Sequence, residues 1–274
     1  MRRRLRKWIL LLSLLTAAGA AAASLSRAEL SNLLGEANTL FRQANDASLR
    51  DPAAARDLYR RAALRYERIV QEGGIHNGKL FYNIGNAYFR AGDIGRAILN
   101  YRRAQLYIPD DANVAQNLSY ARSSRADAFQ EKQETQVLKT LLFWHYDLSP
   151  RLRSLILVIA WGLFWVAAAI RLLRRSWAPR PLLAATGVVA LLFLGSLVAA
   201  ATGTARRQPG VILAEQVIAR KGDGISYEPS FKEPLHAGTE FVLAEARGDW
   251  CHIELPDGRR CWIPADSAGL VNQY

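Results

Sequence analysis

Apolar residues recur along this 274-residue chain with three different periods, and each period predicts a different kind of element. Over residues 30–128 they return every three to four positions, with no alternating stretch of any length, which predicts helices throughout. Over 155–170 and 182–201 they run on without a charged residue, and about 20 mostly apolar residues suffice to cross a bilayer. The first run reaches that length when Leu172 and Leu173 are counted and Arg171 snorkels to the interface. Past Arg206-Arg207 the period drops to two, and short strands are predicted at 211–214, 240–246, 250–255 and 260–264.

Charge then orients the apolar pair. Between the runs lies Arg171-Leu172-Leu173-Arg174-Arg175-Ser176-Trp177-Ala178-Pro179-Arg180, with arginines and no acid, so this loop is expected to be cytoplasmic and both flanking polar segments external. The formal net charge of +12 is concentrated in the same places. Arg2, Arg3, Arg4, Arg6 and Lys7 open the chain, and Arg151, Arg153, Arg171, Arg174, Arg175, Arg180, Arg206 and Arg207 flank the spans, which leaves the polar segments nearly neutral. That distribution reports membrane topology and excludes the basic folded face of a nucleic-acid binder. The basic start, the apolar stretch 8–18 and Ala21-Ala22-Ala23 read as a secretory signal cleaved near Ala23. Ser26-Arg27-Ala28-Glu29 then fits a capping box that starts the first helix. The segment 129–153 is read as a juxtamembrane helix, with Trp144, Tyr146 and Trp177 as interfacial aromatics.

Within the helical segment, Phe81, Ile84, Gly85, Tyr88, Ala97, Tyr101, Ala104 and Pro109 match the 34-residue tetratricopeptide frame. Gly85 and Ala97 are small where two antiparallel helices would approach, Gly92-Asp93 makes the turn, and Pro109 ends the second helix. One such unit cannot bury its apolar face alone. Leu40-Phe41-Arg42 with Ala62, Tyr66 and Ile69 supply a degenerate earlier repeat, with Asp51-Pro52 starting a helix, and 113–125 a closing helix. In this frame Asn38, Lys79, Tyr82, Asn83, Asn86, Phe89, Asn113 and Asn117 line the concave face. Amides with a few aromatics suit an extended peptide. In peptide-binding members of the repeat family two asparagines help clamp a terminal carboxylate; Asn38 and Asn83 match them, while the lysine and arginine of the third repeat are missing.

In the strand segment, Pro256-Asp257-Gly258-Arg259 is read as the turn of a hairpin that pairs Leu255 with Cys261 and Ile253 with Ile263. Cys251, Ile253, Leu255, Cys261 and Ile263 then share the apolar face, and Trp250, His252, Glu254, Arg260 and Trp262 the other. In that register the two cysteines stand roughly 13 Å apart at about 3.3 Å per residue, out of disulfide reach. Cys251 and His252, adjacent on a strand, point to opposite faces and form no dyad. His76, His145 and His236 are scattered without metal-ligand spacing, and no phosphate loop or nucleophile elbow occurs, so neither an enzyme nor a cofactor is expected.

The runs Val217-Ile218-Ala219-Arg220-Lys221-Gly222-Asp223-Gly224, Leu235-His236-Ala237-Gly238-Thr239, Gly248-Asp249-Trp250 and Trp262-Ile263-Pro264 resemble a bacterial SH3-like barrel, with Cys261 where that family usually has glycine. The resemblance implies a surface of exposed aromatics, here Tyr227, Trp250 and Trp262. The expected chain is multidomain: signal peptide 1–23, all-α tetratricopeptide-repeat array 24–128, juxtamembrane helix 129–153, transmembrane helices 154–173 and 181–203 around a cytoplasmic loop 174–180, and an all-β SH3-like barrel 209–274. That order, with the run Phe81-Tyr82-Asn83-Ile84-Gly85-Asn86-Ala87-Tyr88-Phe89-Arg90, resembles the BatE family of the Bat (aerotolerance) system. The resemblance implies an inner-membrane scaffold with both polar domains periplasmic, partnered by von Willebrand A-domain membrane proteins and a MoxR-type ATPase. An alternative is a tether whose barrel holds peptidoglycan while its repeats recruit an envelope enzyme.

Overall fold

The computed structural model describes residues 25–127, 140–146, 148–174, 180–206 and 208–274. The expected signal peptide, residues 129–139 of the juxtamembrane segment and residues 175–179 of the loop between the spans lie outside them. Among the described residues the chain is mostly helical, with eight helices and a small antiparallel sheet. It divides between Asp93 and Ile94 into two units, the terminal Tyr274 being counted with the first.

The first unit holds α1 (Arg27–Ala47), α2 (Pro52–Gln71) and α3 (Gly78–Ala91). Each begins where a short polar side chain satisfies the free N–H groups of a helix start. Ser26 and Glu29 form the expected capping box, Asp51 accepts from Ala53 and Ala54 ahead of Pro52, and Asn77 accepts from Leu80. Gly92 ends α3 in the left-handed conformation, at φ 88°. Small residues two turns apart, Ala37 and Ala44 on α1 and Ala55 and Ala62 on α2, are fully or almost fully buried where the helices pack. Two buried phenols fasten this pair: Tyr66 donates to Asn38 and Tyr59 to Asn45, each at 2.6 Å. Both bonds join residues whose numbers sum to the same value, the register of an antiparallel pair. Phe81 of α3 is covered by the ring of Tyr274, 5.1 Å between centroids.

The second unit begins with α4 (Ile94–Tyr107) and α5 (Ala112–Ser123), the latter capped by Asp111. After them come α6 (Phe143–Tyr146), the long α7 (Pro150–Arg174) and α8 (Arg180–Arg206), and the strands. Two of these helices, over Pro150–Leu173 and Arg180–Thr202, are long and apolar enough to cross a membrane. They meet along a seam of small side chains: Ala160 and Ala167 on α7, Thr186, Ala190 and Ser196 on α8. Small residues let membrane helices approach closely, where lipid supplies no hydrophobic drive.

The main sheet has the order β6-β5-β4-β1-β7, with β1 (Gln208–Ile212), β4 (Glu240–Arg247), β5 (Trp250–Glu254), β6 (Arg260–Pro264) and β7 (Ala268–Leu270). It stays open, with β6 and β7 at its edges; β2 (Gln216–Val217) and β3 (Leu235–His236) pair separately. The expected apolar face is the observed one, since Cys251, Ile253, Leu255, Cys261 and Ile263 are all buried. The expected register is corrected by two residues: Ile253 faces Cys261 and Cys251 faces Ile263. The cause is a tighter turn. Gly258, at φ 83°, donates to the Leu255 carbonyl, and Leu255 pairs with Arg259 rather than with Cys261. The cysteines remain free and buried, and burial pushes the Cys261 thiol up to about 12.

The sheet is docked on α4 and α5. Three glycines permit the approach: a Cβ at Gly95 would stand 2.7 Å from the Ile212 carbonyl oxygen, one at Gly269 would stand 2.6 Å from Leu99, and one at Gly238 would stand 3.1 Å from Ile98. Around them lies a charged rim. Glu240 of β4 accepts from Arg122 through Nε and Nη2, at 2.7 and 2.8 Å, with Arg102 at 3.3 Å and Arg125 at 3.6 Å. Burial works to raise the pKa of this carboxyl, but the hydrogen bonds and charges of the arginines outweigh it and hold it below the usual range. Asp127, just past α5, accepts from the His236 N–H at 2.7 Å and the Thr239 hydroxyl at 2.6 Å, and its other oxygen lies 2.7 Å from the His236 ring. Its carboxyl is likewise lowered against the effect of burial, by these hydrogen bonds.

Candidate functional site

The first unit carries a groove of about 290 Å³ lined by Asn38, Phe41, Arg42, Tyr66, Asn83 and Asn86. Its walls come from all three helices: Asn38, Phe41 and Arg42 from α1, Tyr66 from α2, Asn83 and Asn86 from α3. Positions three or four apart on a helix share a face, so 38, 41 and 42 on one helix and 83 and 86 on another each present one turn to the opening. The lining contains amides, two aromatic rings and a guanidinium, and no acid.

The hydrogen bonds define what the groove offers. Asn38 uses its carbonyl oxygen to accept from Tyr66, and its amide nitrogen can donate only elsewhere. The Tyr66 phenol is pushed up by burial, with the Arg42 charge working against that rise, so it stays protonated and donating at neutral pH. Arg42 is exposed and donates to Thr39 at 3.3 Å, one of five N–H groups in its fork. Such a lining can satisfy the carbonyls and amides of an extended backbone, and its single charge favours an anionic group at that end.

Of the residues expected from the sequence, Asn38, Asn83 and Asn86 meet in this groove. Lys79 is exposed one turn before Asn83, while Tyr82 and Phe89 are half-buried on α3; none of the three lines it. Asn113 and Asn117 sit on α5, in the second unit. Phe41, Arg42 and Tyr66 complete the lining and were not among the expected site residues. For Phe41 and Arg42 a signal lies in the sequence, since Leu40-Phe41-Arg42 repeats the pattern Tyr88-Phe89-Arg90.

On the sheet, the three expected aromatics differ in exposure. Tyr227 is 49% exposed, its ring lying over Gly222, where a Cβ would clash at 2.6 Å. Trp250 is half-buried. Trp262 is only 8% exposed: the His252 ring stacks on it at 4.8 Å, and the Arg247 guanidinium lies 5.0 Å from its centre. A second hollow, between the end of α5 and the 230–235 loop, is lined by Asp127, Phe231, Lys232, Glu233, Leu235 and Arg259 among others. No group of three or more His, Cys, Asp or Glu suited to a metal occurs among the described residues. The chain matches no protein-family model, and no curated protein is significantly similar to it.

Proposed function

We propose that this chain is a membrane-anchored periplasmic scaffold that binds partner proteins through the groove of its first unit, as its resemblance to the BatE family implies. In this reading α1 to α5 are a short tetratricopeptide array, the strand segment is an SH3-like module, and α7 and α8 are the two membrane spans. The observation that carries it is the groove itself, an acid-free lining of Asn38, Asn83, Asn86 and Arg42 with aromatic walls on three helices. Such a surface suits an extended segment of a protein, and the von Willebrand A-domain membrane proteins implied by the resemblance are the proposed partners. The docking of the sheet on α4 and α5 supports the topology. Segments on either side of a two-helix hairpin can touch only if both stand on one side of the membrane, and the arginines between the spans favour the exterior for that side.

The test is the double replacement Asn83→Ala and Asn86→Ala in the full chain. Losing two amide partners at about 0.5 to 1.5 kcal/mol each weakens a bound segment by roughly an order of magnitude. Thermal unfolding should be nearly unchanged, because neither side chain belongs to the buried set. Co-purifying membrane proteins recovered at unchanged affinity would remove the groove from the account. Retention on isolated sacculi would favour the tether instead, with the sheet as the binding module.

A further inference from the structure

The strand register fixes which end of the sheet stands nearest the two long apolar helices. α8 stops at Arg206 and β1 starts at Gln208, so the Gln208 end of β1 begins where α8 leaves off. β4 runs antiparallel to β1, with Glu240 opposite Val211 and Leu243 opposite Gln208, and continues to Arg247. On β5, Ile253 faces Leu243 and Trp250 faces Arg247. The β4–β5 hairpin thus overhangs the start of β1 by about 10 Å, at about 3.3 Å per residue. A helix contact gives the same direction. Asp110, between α4 and α5, lies 3.9 Å from Arg151 in the first turn of α7, while Arg122 and Arg125, at the far end of α5, meet Glu240. The Glu240 end of the sheet therefore points away from the apolar helices, and the Arg247–Trp250 end toward them.

A braced loop at that end lifts a large apolar side chain into the open. Arg220 bridges to Trp262 of β6, Lys221 and Glu228 pair through backbone and side chains at 3.0 and 2.8 Å, and Asp223 holds Arg247 of the hairpin at 2.9 Å. Inside the loop the Tyr227 N–H donates to the Gly224 carbonyl, and Ile225, at the crown of that turn, is 81% exposed. Tyr227 beside it is exposed and Trp250 half-buried. Single exposed apolar residues are ordinary on a protein surface. Here one stands with a tyrosine and a tryptophan, the residues that collect at membrane–water interfaces, on the end that faces the apolar helices. Arg247 is paired with Asp223 and Glu245, and Lys221 with Glu228, so contact at this end rests on apolar and aromatic groups and does not require anionic lipid.

We propose that, with α7 and α8 crossing a membrane as in the scaffold above, the Ile225 loop and the 247–250 hairpin tip rest in the lipid headgroup layer beside α8. The test uses the full chain in phosphatidylcholine nanodiscs, with a nitroxide at Ile225→Cys, at Leu191→Cys within α8, or at Lys232→Cys, all exposed positions. Lys232 lines the hollow at Asp127, toward the Glu240 end of the sheet. The unsubstituted protein supplies the background from the buried Cys251 and Cys261. Collision of each nitroxide with oxygen, which concentrates in lipid, is compared with collision with a water-soluble nickel chelate. The oxygen-to-nickel ratio should be several-fold higher at 225 than at 232, and highest at 191. Equal ratios at 225 and 232, with 191 in lipid, would overturn the lipid contact and leave the spans standing. A water-exposed 191 would remove the spans and the contact together.

Discussion

Helices α1 to α3 of the first unit and α4 and α5 of the second follow the same apolar period and spend their polar faces differently. In the first unit, α1 to α3 turn Asn38, Arg42, Asn83 and Asn86 toward an open groove. In the second, α4 and α5 spend Arg102, Arg122, Arg125 and Asp127 on the sheet, closing around Glu240 and the His236–Thr239 turn. Glycine marks the closed face, at Gly95, Gly238 and Gly269. Amides remain on the open face, where they can pair with a guest backbone, while charges gather on the face whose counter-charges belong to the same chain.

The comparison breaks most sharply at Glu240. Glu240→Ala leaves three arginines converging on an apolar methyl, and losing the charged hydrogen bonds of this half-buried carboxylate costs about 1.5 to 3 kcal/mol. Denaturant unfolding of the full chain should show that loss in the second unit, with hydrogen exchange of α1 to α3 unaltered. A loss under about 1 kcal/mol would mean that the arginines are held by solvent instead.

Gly95→Val should come next. Its Cβ would meet backbone at Ile212 and Leu213, which cannot rotate away as a side chain can, so overpacking of about 1 to 3 kcal/mol is expected. Loss of amide protection in β1 and α4 is the readout. Wild-type protection there would contradict the close docking.

Acid should separate the units too. Asp127 and Glu240 both have carboxyls held below their ordinary values, so the unfolded chain takes up protons first as pH falls. Their contribution is complete above the ordinary carboxylate range and is lost as pH drops through the lowered folded values. Near neutral pH the docking should therefore be insensitive to pH, and exchange at 236–240 should rise only below about pH 4. A transition in that loop near neutrality would contradict the carboxylates as the source of its pH dependence.

What was legible in the sequence divides along the same line. Local signals read correctly: the Ser26–Glu29 box, Asp51 before Pro52 and Gly92 all sit where the helices start or stop. Alternation identified the buried face of β5 and β6, but their register depended on one turn closed by Gly258, and two residues were lost there. β2, β3 and β7, at two or three residues each, are too short to show a period. The asparagines of the groove could be read from one helix at a time. Arg42 and Tyr66 joined them only once three helices were assembled, and the Glu240 cluster joins residues more than a hundred positions apart.

The smallest expected effect is on the open side. Tyr66→Phe removes the bond to Asn38 and should cost about 0.5 to 1.5 kcal/mol in unfolding, while freeing the Asn38 carbonyl to accept from a guest. Partner affinity should hold or rise; a large fall would mean that the phenol itself contacts the partner.

In the proposed scaffold the two polar segments share one side of a membrane crossed twice. Topology reporters fused after Arg125 and after Tyr274 in the full-length context should both report the exterior, and a reporter at Ser176 the cytoplasm. Opposite sides for the first two would contradict the account, because a sheet and helices separated by a bilayer cannot share the Glu240 and Asp127 contacts.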